Sequence, residues 1–366
     1  MNLNLGRSWL LLSTVLLLIC LLTSCGAPSG TPSSPAPAFT TFDAPGAVST
    51  LGYSINPQGA ITGIYFVSGG ISHGFLRAPD GTITTFDVRG AGTGSAQGTR
   101  PNSINSAGAI TGSYTDASSV GHGFLRAPDG TITTFDVPGA GTGSTQGTRP
   151  NSINSAGAIT GSYTDASFVG HGFLRAPDGT ITTFDGPDVF YIAPTSINSA
   201  GLIAGQYFDV SGTHGFLRAP DGTITTFDAP GGPNSTSPVQ CGDPCGPQIN
   251  SGGTIAGDYQ DASRQIHAYL RGPDGTFVTF DAPGAGTGSG QGTFALSINA
   301  VGTTTGYYQD MKSVPHGFLR TPDGNLITFD APGATLTFPE SVNPAGAITG
   351  YYGDGSFADH GFLRQP

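Results

Sequence analysis

From Phe39 onward the chain is a succession of short runs in which apolar and polar residues alternate, punctuated by Gly, Pro, Asn and Asp. Period-two alternation over a few residues predicts half-buried β-strands, and nothing after the N-terminal leader shows the 3.6-residue period of a helix. The stretch HGFLRAPDGTITTFD, residues 122–136, is typical. Its two halves flank Pro128-Asp129-Gly130. Pro presets the first turn position, Asp tolerates the second and Gly supplies positive φ, the chemistry of a type I turn closed by a bulge. Thr-Ile-Thr-Thr-Phe, in the second half, is β-branched and aromatic and suits a pleated surface. A three-residue loop pairs Ala127 with Thr131 and places His122 opposite Asp136 on one face. That register predicts a cross-strand His–Asp contact in every copy.

The copies are regular. His73, His122, His171, His214, His267, His316 and His360 each open one, at spacings of 49, 49, 43, 53, 49 and 44 residues. A second element, most often Ser-Ile-Asn, ends at Asn56, Asn105, Asn154, Asn198, Asn250, Asn299 and Asn343. A tight turn such as Ser106-Ala107-Gly108 follows, and then a run such as Ala-Ile-Thr-Gly-Ser-Tyr at 109–114. Each unit thus supplies four strands: A (Ser-Ile-Asn), B (Ala-Ile-Thr-Gly-x-Tyr), C (His-Gly-Phe-Leu-Arg) and D (Thr-Ile-Thr-Thr-Phe-Asp). Periods of roughly 40–50 residues with several strands each predict a β-propeller, one blade per repeat.

The last unit stops at Pro366 after strands A, B and C, whereas residues 39–43 are a strand D with nothing before it. Setting the orphan strand beside the incomplete unit removes a raw sheet edge. The expectation is therefore an all-β, seven-bladed β-propeller of four-stranded blades over residues 39–366, completed by strand 39–43. An open solenoid or β-helix, the alternative, has no use for the orphan strand.

Residues 1–24 read as a targeting segment. Arg7 gives a positive start, and the apolar run 10–22 is too short for a comfortable membrane span. It ends in Leu22-Thr23-Ser24-Cys25-Gly26, which resembles the bacterial lipobox. The resemblance implies lipidation of Cys25 and an extracytoplasmic address, at the outer membrane if the cell has two. Residues 25–38 then form a lipidated Cys and a Pro/Ser/Gly tether.

Abundant Gly (59) and Pro (28) fit a chain with many turns. Loss of Arg7 leaves 12 basic against 24 acidic residues, a mature charge of about −12. Such a surface excludes nucleic acid and anionic headgroups as natural partners, so the lipid is the expected link to the membrane. A monomer is expected. Cys241 and Cys245, in Cys-Gly-Asp-Pro-Cys, are expected to form a local disulfide. Zinc is the lesser alternative, since two cysteines are half a site and no His lies near in sequence.

Several repeated groups carry candidate chemistry. The histidines sit on strand C, third from the axis, where strands about 4.8 Å apart keep them from sharing one metal ion. They and the following arginines, such as Arg77, Arg126 and Arg175, read as structural. The seven Asn residues read as turn formers, with a ring around the channel mouth as a second possibility. Asp116, Asp165, Asp209, Asp261, Asp310 and Asp354 follow strand B and line up on the face carrying the B–C and D–A connections. Two readings stay open for them, a local Asx-turn and a cation or sugar site. The D–A connections 90–99, 139–148 and 284–293 share Gly-Ala-Gly-Thr-Gly-Ser-x-Gln-Gly-Thr, read as a flexible rim. They lack the Lys and following helix of a phosphate loop. Arg100, Arg149, Phe168 and Tyr191 belong to the same candidate ligand face. Residues 73–121 and 122–170 differ only at Arg89/Pro138, Ala96/Thr145 and Ser119/Phe168. Near-copied units favour multivalent binding over catalysis, which needs unlike residues in unlike roles. No catalytic motif, cofactor site or metal site is predicted.

The unit x-Ile-Asn-x-x-Gly-x-Ile-x-Gly-x-Tyr, followed by His-Gly/Ala-Phe/Tyr-Leu, resembles the bacterial extracellular HAF-repeat family over residues 39–366. His267-Ala-Tyr-Leu270 stands nearest its name motif. The resemblance implies a secreted or surface propeller-like protein and transfers no catalytic residue. The leading expectation is a lipid-anchored binding or scaffold module for a glycan, peptide or surface protein. A propeller hydrolase or lyase acting on an extracellular polymer is the alternative, and a purely structural envelope protein the third.

Overall fold

The computed structural model describes residues 37–186, 189–231, 246–356 and 358–366. The leader, Cys25 and the pair Cys241 and Cys245 lie outside the described residues. Among the described residues there are 28 β-strands and no helix.

The strands form antiparallel meanders of four. In the second unit, strand A is Gly98–Ile104, B is Ile110–Thr115, C is Gly121–Arg126 and D is Ile132–Phe135, each paired with the next. In the last unit, A, B and C are Leu336–Val342, Ile348–Gly353 and Asp359–Arg364. The fourth strand there is Phe39–Phe42, with Phe39 opposite Arg364 and Phe42 opposite Gly361. The orphan strand and the incomplete unit thus lie side by side.

Strand A departs from the sequence reading. It starts at Gly98 rather than Ser103, inside the Gly-rich connection, and Asn105 heads the turn instead of ending the strand. Its register shifts between Pro101 and Ser103, a β-bulge centred on Asn102. The same shift recurs in other units, for example between Pro339 and Ser341. In the fifth unit strand A shrinks to Gln248–Ile249.

The C–D hairpin follows the predicted register. Ala127 N–H donates to Thr131 O at 2.8 Å, Gly130 N–H returns to Ala127 O at 2.9 Å, and Gly130 has φ 93°. Asp129 Oδ1 accepts the Thr131 amide at 2.9 Å, which explains the Asp of the turn.

Neighbouring units meet through aromatic rings. Phe86, in strand D of the first unit, lies edge-on to Phe124 in strand C of the second, centroids 6.2 Å apart. The Arg126 guanidinium sits 5.0 Å from the same Phe86 ring. An Arg over a Phe of the preceding unit recurs at seven junctions at 4.7–5.2 Å, including Arg77 over Phe42. Phe124 and its counterparts Phe75, Phe173, Phe216, Phe318 and Phe362 are fully buried. Each such ring contributes roughly 2–3 kcal/mol from area removed from water, and each cation–π contact about 0.5–2 kcal/mol. The repeated arginine is therefore a junction piece, in line with its structural reading.

The Gly after each His has a steric cause. A Cβ on Gly123 would lie 2.8 Å from the Phe135 ring and 3.0 Å from Cγ of Pro150 in the next unit. The departure at His267-Ala-Tyr-Leu270 carries its own compensation. Where Gly123 faces Pro150, the buried Ala268 shares a cluster with Ala295, which holds the proline's place in the next strand A.

We expect Gly123→Ala to cost about 1–3 kcal/mol by overpacking. Pro150→Ala in the same chain should return part of that loss, a coupling measurable by denaturant unfolding of the two single variants and the double.

Candidate functional site

Three groups of side chains are placed by these strands: a rim array, a set of exposed loop residues, and tiers along the axis lined by the A strands.

On the rim, every imidazole is held by carboxylates. His122 Nδ1 lies 2.9 Å from Asp136 Oδ1, and its counterparts span 2.5–3.0 Å from Asp87, Asp185, Asp228, Asp281, Asp330 and Asp43. A carboxylate only accepts, so Nδ1 carries the proton. In six units Nε2 faces a second carboxylate at 3.2–3.7 Å: Asp116, Asp165, Asp209, Asp261, Asp310 and Asp354. The first unit has Val67 at that place and keeps the Asp87 contact alone. A strand-B tyrosine lies against each imidazole at 4.8–5.3 Å, stacked in five units, as Tyr114 is on His122, and tilted at His267 and His360.

The six Asp candidates therefore have local employment. Asp116 Oδ1 accepts the amides of Ser118 and Val120 at 2.8 and 2.9 Å, an Asx-turn, while Oδ2 faces His122. Asp209 and Asp354 are held down to about 2, first of all by hydrogen bonds from Ser211 and Ser356. Burial alone would lower His360, yet Asp43 and then Asp354 outweigh it and raise the imidazole. Among the described residues no three His, Cys, Asp or Glu side chains are grouped as metal ligands.

The Gly-rich connections are anchored. Gln97 Oε1 accepts the Gly94 amide at 2.8 Å, and Nε2 donates to Ala117 O and Ser119 Oγ across the B–C turn. Gln291 repeats this with Gly288 and Ser313. Arg100 and Arg149 lie in strand A opposite Ser113 and Ser162, and Arg149 Nη2 donates to Thr145 O at 3.0 Å. Tyr191 opens the fourth strand A, edge-on to Phe208 at 5.9 Å, its hydroxyl 3.4 Å from Ser162 Oγ.

Phe168 differs from its neighbours. It sits at the B–C turn with φ 64°, where other units carry Ser119, Arg264 or Ser313, and 65% of it is exposed. A bulky residue at positive φ is strained, and here no burial offsets the strain. Phe190 and Val210, in the next D–A and B–C connections, are also exposed.

Sequence reasoning offered the Asn ring only as a second possibility and missed the rest of the axis. Asn56 Nδ2 donates to Asn105 O, Asn105 to Asn154, and so on through Asn198, Asn250, Asn299 and Asn343, whose Nδ2 donates to Asn56 O; all seven bonds are 2.9–3.3 Å. Each Oδ1 accepts two amides of its own turn, as Asn105 does from Ala107 and Ala109. The turn-former and ring readings hold together. One tier up, the Oγ of Ser54, Ser103, Ser152, Ser196, Ser297 and Ser341 accepts an Ile or Val amide of the following unit at 3.2–3.4 Å. Gln248 stands in the seventh place.

The bulge residues form a third tier: Tyr53, Asn102, Asn151, Thr195, Leu296 and Glu340. They and the serines line an axial cavity. Glu340, the only Glu of the chain, keeps one side toward the void but is otherwise enclosed, and burial pushes its carboxyl up to about 8. Burial does the same to Asp258 of the fifth strand B. Its uniqueness was the available sequence signal, but nothing in the sequence alone points it at the axis.

No protein-family model and no curated protein sequence matches the chain. Among solved structures it is similar to a catalytically inactive virginiamycin B lyase from Staphylococcus aureus with quinupristin, at TM-score 0.56 and 14% identity, over 90% of this chain and 100% of that one. A streptogramin B lyase is similar at TM-score 0.54 and 13% identity, over 89% and 97% of the two chains. A puromycin hydrolase is similar at TM-score 0.55 and 12% identity, over 86% of this chain but 52% of its own. At such identities the likeness is one of fold alone: the chain has an all-β, propeller-like fold.

Two outcomes follow from the ionisable groups. A carboxyl raised on folding binds its proton more tightly in the native state, so the stability it confers is full below the ordinary range near 4.5 and is lost as pH rises through about 8. Glu340→Gln should then raise the melting temperature at pH 9 by about 2 °C or more, with the gap closing at pH 5. Removing Asp354 as an ion partner, by Asp354→Asn, should lower the NMR titration midpoint of His360.

Proposed function

We propose that this chain is a lipid-anchored, extracytoplasmic seven-bladed β-propeller of the HAF-repeat kind, serving as a binding or scaffold module. The repeat signature, the pairing of Phe39–Phe42 with Asp359–Arg364, and the asparagine cycle from Asn343 to Asn56 support a ring completed by the N-terminal strand. The lipobox-like Leu22-Thr23-Ser24-Cys25 supports anchorage through Cys25, and the compartment it implies supports a Cys241–Cys245 disulfide.

One observation carries the binding reading. Gln365 N–H donates to Ala38 O, and Pro366 lies beside Gly346 of an A–B turn. Both ends of the described body thus emerge on the A–B/C–D side. Phe168, Phe190 and Val210, with the six Asp turns, occupy the opposite side. A tether at 25–38 holds the first side toward the membrane and turns the second outward. Exposed, strained Phe168 on that outward rim is the group chosen to contact a glycan or protein, since an aromatic ring offers a large stacking face. Loops on a rigid scaffold are where binding residues concentrate.

A hydrolase or lyase of an extracellular polymer is the second reading. The fold it shares with a streptogramin B lyase and a puromycin hydrolase is compatible with it. The spending of the rim Asp oxygens on turns and imidazoles favours the module.

A glycan and surface-protein array probed with residues 26–366, alongside release of reducing ends from polysaccharides, separates the two readings. Saturable binding without turnover is expected. Phe168→Ser should weaken it about five- to thirtyfold, a loss of roughly 1–2 kcal/mol, with an unchanged melting temperature. Turnover abolished by single Asp→Asn changes on the rim would replace the module with the enzyme.

A further inference from the structure

The axial cavity is built for a ligand of definite chemistry. At the bulge position, Asn102 and Asn151 donate through Nδ2 to Pro150 O and Pro194 O of the following unit at 2.8 and 2.7 Å, and Thr195 donates likewise to Pro247 O. Glu340 holds the same position in the last unit, and only when ionised does it become a pure acceptor. Asn102 is 7% exposed and lines the cavity, and its Oδ1 has no hydrogen-bond partner. Buried polar atoms in folded proteins are satisfied by protein, water or ligand. The serine hydroxyls of the tier below have already accepted backbone amides. What the cavity offers is hydroxyl groups, each with a lone pair and an O–H left over, and one acid, with Tyr53 and Leu296 beside Glu340.

A complementary ligand brings N–H donors, a positive charge and a small apolar part. A divalent metal is a poorer match. Hard cations gather several carboxylates, whereas Glu340 is the one acid lining this cavity. We propose that the axial cavity binds a small organic ammonium, its N–H groups donating to Glu340 and serine hydroxyls, its carbon chain against Tyr53 and Leu296. This site lies on the axis and stands apart from the rim reading.

Proton balance follows. Near pH 7 the free Glu340 carboxyl is mostly protonated, because burial sets its midpoint at about 8. Ammonium binding forms the carboxylate–ammonium pair and releases that proton to solvent. The ionisable groups around Glu340 are Tyr53, Tyr307 and Tyr351, with Asp258 and Asp359 beyond them. Tyr307 and Tyr351 are raised by burial and stay neutral through this range. Asp258, also near 8, does not line the cavity.

The chain's single Glu makes the test direct. Glutamate labelled with ¹³C at the side-chain carboxyl gives one protein signal to titrate by NMR. The free protein should titrate near 8. Excess n-butylammonium chloride should lower the midpoint by at least about one unit, a tenfold preference for the ionised form. Tetramethylammonium, which has no N–H, should shift it less, and calcium or sodium chloride at equal ionic strength should leave it in place. An ordinary midpoint near 4.5 in the free protein overturns the proposal. So does a midpoint that butylammonium leaves unmoved, or that calcium or tetramethylammonium moves as far.

Discussion

No unit can satisfy its innermost strand alone. Each axial Asn spends Oδ1 on its own turn and Nδ2 on the carbonyl of the next Asn, and each axial Ser receives an amide from the unit that follows. A buried donor or acceptor left unpaired costs about 1–3 kcal/mol. The Asn and Ser tiers therefore set the register between units at the axis, while Arg over Phe sets it further out. With both radial positions fixed, the sheets have little freedom to slide past one another.

That double constraint explains where the repeats tolerate change. Asn at the turn is invariant among the seven units because it serves two units at once. The bulge position is less constrained: Asn102, Asn151 and Thr195 bond the following unit there, whereas the same position holds Leu296 and Glu340 elsewhere. One packing pair changes at both members, Ala268 and Ala295 standing in place of Gly and Pro, whereas Gly361 keeps its Gly beside a unit with Gly52 at the proline's place. Variety is greatest at the bulge tier, which holds Tyr53, Asn102, Asn151, Thr195, Leu296 and Glu340, while the serine tier departs once, at Gln248.

The rim follows the opposite logic. Its charges look functional in a list of residues but are consumed locally: each second Asp closes its own turn and faces its own imidazole. The residue that local needs do not explain is Phe168, an exposed aromatic ring at positive φ where other units hold Ser or Arg. An unlike residue in an otherwise near-copied unit is a better pointer to recognition than a repeated carboxylate.

Hairpins, the His–Asp register, the Asx-turn reading and the pairing of the first strand with the last unit were all legible from local periodicity, turn chemistry and counting. Each depends on residues within about fifteen positions, or on the arithmetic of complete units. Strand A was legible only at its end, because its first residues are Gly, Thr and Arg with no alternation to mark them. The axial tiers were hidden for a different reason. They join residues about one repeat apart, such as Asn105 to Asn154, or on opposite ends of the chain, such as Asn343 to Asn56. Local chemistry settles which strands form and how each hairpin is closed. Only the packing of the units decides that a lone Glu faces a void, since burial is a property of what surrounds a residue.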